Sequence, residues 1–118
     1  MVIDVHLHVF DIMSGSPDGK GLFSLAYGRC VRGDRVSQIL PPSFEKSNST
    51  AEVALAYMDM VGVDRSVLVQ GRMYGYHNEY VARAVSLWPD RFFGTAWVHP
   101  KNGKKAAEEL RRWVDRGL

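Results

Sequence analysis

The sequence predicts an α/β chain built on a parallel sheet. Three observations carry that expectation. The chain opens on a strand of strict apolar–polar alternation, its middle holds a strand apolar at successive positions, and amphipathic helices separate the strands. The order is β-α-β-α-β-α, which fits an open doubly wound sheet or a (β/α)8 barrel. In both architectures chemistry belongs at the C-terminal ends of the strands.

Residues 1–9 form the first strand. Ile3, Val5, Leu7 and Val9 share one face, and Asp4, His6 and His8 share the other. Residues 11–48 hold many glycines and prolines and no sustained period, so they read as a long connection with a short helical turn at 22–27. The alternative is a small element hidden in that stretch. Ser49-Thr50-Ala51-Glu52 has the spacing of a capping box, opening a helix that runs to about Val61 with Val53, Ala56, Tyr57, Met60 and Val61 as its stripe. Gly62 is placed to end it.

Residues 65–70 (RSVLVQ) form the second strand. Its Val67-Leu68-Val69 centre suits burial on both faces. Asn78 caps the next helix, which ends before Pro89 and buries Tyr80, Val81, Ala84, Val85 and Trp88. Residues 91–99 form the third strand. Asn102 caps a final helix at 103–116 with Ala106, Ala107, Leu110, Trp113 and Val114 as its stripe. Glu108 and Arg112 stand at i,i+4, and Gly117 is the closing glycine.

Composition narrows the function classes. Fifteen Lys and Arg against 13 Asp and Glu leave +2 on 118 residues, too little for a general grip on nucleic acid. A hydrophobic share of 46% argues for a folded chain. Cys30, the single cysteine, excludes an internal disulfide framework and carries no assigned nucleophilic role. There is no membrane-spanning run. The opening lacks the pattern of a signal peptide, so a cytoplasmic location is the default expectation. The stretch SGSPDGKG at 14–21 has the wrong spacing for a phosphate loop and reads as a flexible connection.

His6-x-His8 is the sharpest chemical feature. Residues i and i+2 of a strand project to one side with Cα atoms about 6.5–7 Å apart. Two imidazoles there can converge on one cation at about 2.0–2.1 Å each. Two exposed surface histidines are the bland alternative, and the buried setting of a first parallel strand favours the ligand reading. Asp4, on the same face, would orient a ligand from behind. A hydrolytic zinc needs about three protein ligands and an open position. The other candidates are His77, His99 and several aspartates. His99 reads as a substrate contact rather than a ligand, and His77 as a solvated or capping residue. Gln70 ends its strand and is placed to bind a substrate carbonyl or carboxylate, or simply to close a hydrated strand end. Arg29, Arg32, Arg35 and Arg72 lie in loops, where they could neutralise an anionic substrate or stay solvated.

Four segments together resemble a known family: IDVHLHVF at 3–10, MDMVGVDRSVLVQ at 58–70, the Asn78-Glu79-Tyr80 helix start, and WPDRFFGTAWVHP at 88–100. The final AAEELRRWVDRGL fits as well. The chain resembles the N-terminal part of metal-dependent hydrolases of the amidohydrolase superfamily, in the amidohydrolase-related branch of decarboxylases and lactonases. The resemblance covers nearly everything outside 11–48. It implies one partial, truncated (β/α)8 TIM barrel over 1–118, with about three βα units. It also implies a divalent metal, zinc first, held by His6 and His8.

The family's further ligands and its catalytic aspartate come from later strands, so the catalytic residues are expected beyond Leu118. The activity implied for the intact parent is hydrolysis of a lactone, amide or related carbonyl by a metal-activated water. The alternatives are metal-dependent decarboxylation of a carboxylate-bearing substrate, or a catalytically inactive fragment serving as a metal-binding or interaction module. The 118 residues alone are expected to be inactive. The expected partner is a small molecule rather than nucleic acid or membrane, and a homo-oligomer is compatible with the sequence.

Overall fold

The computed structural model describes residues 1–16 and 18–118. Strands β1 (Ile3–Leu7), β5 (Arg65–Leu68) and β6 (Phe92–Gly94) form a parallel sheet in the order β1-β5-β6. The helices are α1 (Ala51–Val61), α2 (Asn78–Leu87) and α3 (Lys104–Val114). A second, antiparallel sheet of β2 (Phe23–Ser24), β3 (Arg29–Arg32) and β4 (Arg35–Gln38) occupies the middle of the long connection. The helical turn expected at 22–27 is therefore replaced by strands. These strands are too short to show a period, and their pairing rests on tight turns. Among the described residues no helix is long and apolar enough to cross a membrane.

Each sheet buries one core. Leu68 and Phe92 point between the main sheet and its helices and meet Ala51, Ala54 and Met58 of α1 and Val81 and Ala84 of α2. Val9 joins them from the end of β1. Phe10, Met13, Leu22 and Cys30 form the second core, beneath the small sheet. Burial pushes the Cys30 thiol pKa up, which keeps it protonated.

The expected stripe of α1 is rotated. Ala51, Ala54 and Met58 are buried, whereas Val53, Tyr57, Met60 and Val61 are exposed. Small alanines let the helix lie close to the sheet, and the bulkier residues take the outer side. The cap of α1 is Thr50, one residue later than the capping-box reading, and its hydroxyl accepts from Val53 N at 3.3 Å. Tyr80 of α2 adds a second cap, its hydroxyl accepting from Ala51 N at 3.0 Å. Gly62 ends the helix as expected, at φ 78°.

The main-sheet strands are shorter than read from sequence, and one face of the sheet is open. Leu68 is fully buried, but Val67 and Val69 are only half-buried, and Val5 and Phe93 are 70% and 49% exposed. The apolar run thus faces helices on one side only. The molecule measures 43 × 41 × 19 Å, and its short dimension is that of one sheet layer and one helix layer.

Two expected caps and one ion pair are not made. Asn78 is the first residue of α2 rather than its cap, and Asn102 lies in a 3-10 turn at Pro100–Asn102 capped by His99. Glu108 and Arg112 form no ion pair among the described residues; Arg112 and Arg116 instead lie over the Trp113 ring, each at 4.8 Å. Of the α3 stripe only Trp113 is buried. Gly117 adopts φ 94°, after the short Asp115–Arg116 turn that follows the helix. A paired Arg116–Glu79 contact, with both bonds at 2.6 Å, ties the end of α3 to α2.

Leu68→Ala in the full natural chain should cost about 2–5 kcal/mol, read from urea unfolding, because the site is closed on every side. Arg116 holds the Glu79 carboxyl below its ordinary pKa, chiefly through their hydrogen bonds. The tie is thus complete above the ordinary carboxylate range and is lost as pH falls through the lowered value. Amide protection along α3 should fall with it, by a small amount because both groups are exposed.

Candidate metal centre

Two side chains at the end of β1 build the centre. Leu7 packs against the main core and Val9 is buried within it. Alternation then sends His6 and His8 to the opposite face. Their Nε2 atoms approach to 3.1 Å, with ring planes at 84°. Two bonds of about 2.0–2.1 Å meeting at a near-tetrahedral angle would place their nitrogens about 3.3 Å apart. The pair therefore fits two positions around one divalent cation. Among the described residues no group of three His, Cys, Asp or Glu side chains could hold a metal, so these two supply only part of a coordination shell.

The tautomer of His8 follows from its partner. Nδ1 lies 2.7 Å from the carbonyl oxygen of Val69, which only accepts. Nδ1 therefore carries the proton, and Nε2 presents its lone pair toward His6. This bond crosses from β1 to the end of β5, next to the backbone bond from Val69 N to Leu7 O at 2.8 Å.

Asp4 does not share the histidine face. Asp4 pairs with Ser66 and Leu7 with Leu68, so β1 has one extra residue between them. The irregularity puts Asp4 and Leu7 on the same side and leaves Val5 exposed. Asp4 Oδ1 accepts from the His6 backbone N at 3.0 Å, bracing the backbone of the ligand residue rather than its ring.

The loop after β5 walls the centre. The Tyr74 ring tilts against His8 at 4.9 Å and stacks on Phe10 at 4.8 Å. His77 is buried, and its Nε2 donates to Tyr74 O at 2.7 Å while Nδ1 lies 3.9 Å from Asp11 Oδ1. Expected to be solvated or capping, His77 is buried and holds the loop, and it occupies the N-cap position of α2 without a side-chain cap bond. Gly75, at φ 110°, makes the turn possible: a Cβ there would sit 2.5 Å from Gly15 O. Sequence reasoning missed Tyr74, whose only signal is its place in a loop at the C-terminal end of a strand.

Gln70 sits behind this wall as a three-way brace. Its Nε2 donates to Asn78 Oδ1 at 2.8 Å and to Thr95 O at 2.6 Å, and its Oε1 accepts from His77 N at 3.2 Å. Asn78 extends the brace through Trp97, with its amide donating to Trp97 O at 2.7 Å and accepting from Trp97 N at 2.8 Å. The Gln70 amide hydrogens are thus both committed within the protein. His99 makes local contacts: Nδ1 accepts from Lys101 N at 3.1 Å, and its ring meets Trp97 at 6.0 Å.

Gln70→Leu keeps the size of the side chain and leaves the His77 backbone N–H without its partner, while Asn78 Oδ1 keeps its bond from Trp97 N and the exposed Thr95 carbonyl can turn to water. The change should cost about 1–3 kcal/mol for the group left unmatched, read as a lowered Tm of the full natural chain.

Comparisons with known proteins bear on the family and the fold. The amidohydrolase family matches residues 3–118. No curated protein matches the chain. A crystal structure from Acinetobacter baumannii, of a probable 2-pyrone-4,6-dicarboxylic acid hydrolase with citric acid bound, is similar at a TM-score of 0.58 and 23% identity. That likeness covers 99% of this chain and 35% of the other, so the chain spans about a third of that protein's length and has the fold of part of a (β/α)8 barrel. With a match that runs from the first strand to the last residue, the chain belongs to the amidohydrolase family.

Proposed function

We propose that the whole protein is a metal-dependent hydrolase of a lactone, amide or related carbonyl compound, and that His6 and His8 hold its divalent metal, zinc first. The observation that carries this reading is the 3.1 Å approach of the two Nε2 atoms, with His8 locked in the tautomer that offers a lone pair. A bound divalent ion would supply Lewis acidity at a carbonyl oxygen and make water a better nucleophile at neutral pH.

The chain's own residues then have definite tasks. His6 and His8 bind the metal from one strand. The Val69 carbonyl fixes the His8 ring and raises its basicity as a ligand. Tyr74 covers one side of His8 and limits water there. In this reading the remaining donors and the proton-transfer base belong to other parts of the whole protein, of which the similar structure has about twice as much again. That similar protein is a probable dicarboxylic acid hydrolase crystallised with citric acid, which makes carboxylate-bearing carbonyl compounds the first substrates to try.

His6→Ala and His8→Ala in the full natural chain should each lower bound metal by about 10-fold or more at limiting metal, read by elemental analysis after dialysis. Unchanged metal content in both variants would remove the ligand assignment. Tyr74→Ala should leave metal content close to that of the parent, since its ring packs on the ligand and donates nothing to the ion.

A further inference from the structure

The molecule holds a second polar feature that metal binding leaves unused. Lys20, Arg32 and Arg72 line one cleft of about 440 Å³, together with Gly21 and Met73. Three separate stretches deliver the cations: the glycine-rich turn before β2, the end of β3 and the turn after β5. A backbone bond from Leu22 N to Met73 O, at 3.2 Å, holds the first and third of these together.

The charges in the cleft are unbalanced. Asp18 Oδ2 meets Arg72 at 3.0 Å. Ser16 Oγ donates to Asp18 Oδ1, and Lys20 N does so at 3.3 Å. These bonds keep the Asp18 carboxyl below its ordinary pKa, with the Ser16 bond as the main cause. One carboxylate thus offsets one of three cations. Among the described residues neither Lys20 nor Arg32 has a carboxylate within 4.0 Å. Three cations around one concavity repel each other and attract anions.

The chemistry of the three groups selects the anion. A guanidinium offers five N–H donors in a planar fork that matches a carboxylate, and Asp18 leaves part of the Arg72 fork open. Lys20 adds a mobile point charge. The stretch at 14–21 closes on itself, Ser16 N donating to Lys20 O at 2.6 Å and Gly19 N to Ser16 O at 2.8 Å, rather than opening its amides as a phosphate cradle; Pro17 lies outside the described residues. The cleft is joined to the metal centre through the turn after β5. Arg72 and Met73 line the cleft, and Tyr74 packs on His8.

We propose that this cleft binds a carboxylate of a small polycarboxylate substrate, with Arg32 and Arg72 as forked donors and Lys20 as a third charge. The substrate role rests on the hydrolase reading; the anion site stands on the cleft's own residues. The test is calorimetric titration of the full natural chain, stripped of metal and dialysed, with citrate, tricarballylate and inorganic phosphate. The expected result is saturable binding of both tricarboxylates, weakened about tenfold by Arg32→Met and by Arg72→Met. Arg72→Lys should recover only part of the loss.

Equal affinity in parent and both methionine variants would overturn the proposal, as would phosphate binding tighter than either tricarboxylate. His6→Ala, titrated with citrate beside the parent with metal left in place in both, separates the two readings. Citrate affinity retained in a variant that has lost its metal supports an independent anion cleft. Affinity that falls in step with metal content places the anion on the metal and overturns it. The metal assays on His6 and His8 stand whichever way the titrations go.

Discussion

The arrangement depends on the parity of the first strand. Leu7 and Val9 contribute to the main core, and a strand that buries every second side chain must send the residues between them the other way. His6 and His8 are therefore paired by packing. The carbonyl of Val69 then completes the definition by holding one ring in one tautomer. Core packing chooses the face, and one cross-strand hydrogen bond chooses the orientation.

Much of this was legible in the residues. The β-α-β-α-β-α order, the end of α1 at Gly62 and the common face of His6 and His8 follow from period and from glycine placement. What escaped follows a pattern. The extra residue in β1 moves Asp4 away from the histidines, and such a slip leaves no mark in an alternating sequence. The small antiparallel sheet is made of strands of two to four residues, too short for period analysis. In α1 the larger apolar residues suggest one buried face, but the sheet accepts the smaller alanines of another.

The polar residues were harder still. By type and position Gln70 reads as a substrate contact or a hydrated strand end, Asn78 as a helix cap and His77 as a solvated or capping residue; in the structure each is engaged in holding loops together. Gln70 and Asn78 reach partners 7 to 25 positions away, and no local spacing rule reports such bonds. Their effect on the site is indirect. They fix the turn after β5, so Tyr74 lies against His8 and Arg72 reaches the basic cleft.

The bare side of the main sheet has a cost outside catalysis. Val5, Phe93 and the half-buried Val67 form an oily surface, and among the described residues β1 and β6 each lack a neighbour on their outer edge. Unpaired strand edges beside exposed apolar side chains are where chains adhere to one another. Separated from whatever covers that side, this stretch would be a poor candidate for bacterial overproduction, prone to inclusion bodies and dependent on chaperones. A charged replacement at Val5 would ease self-adhesion.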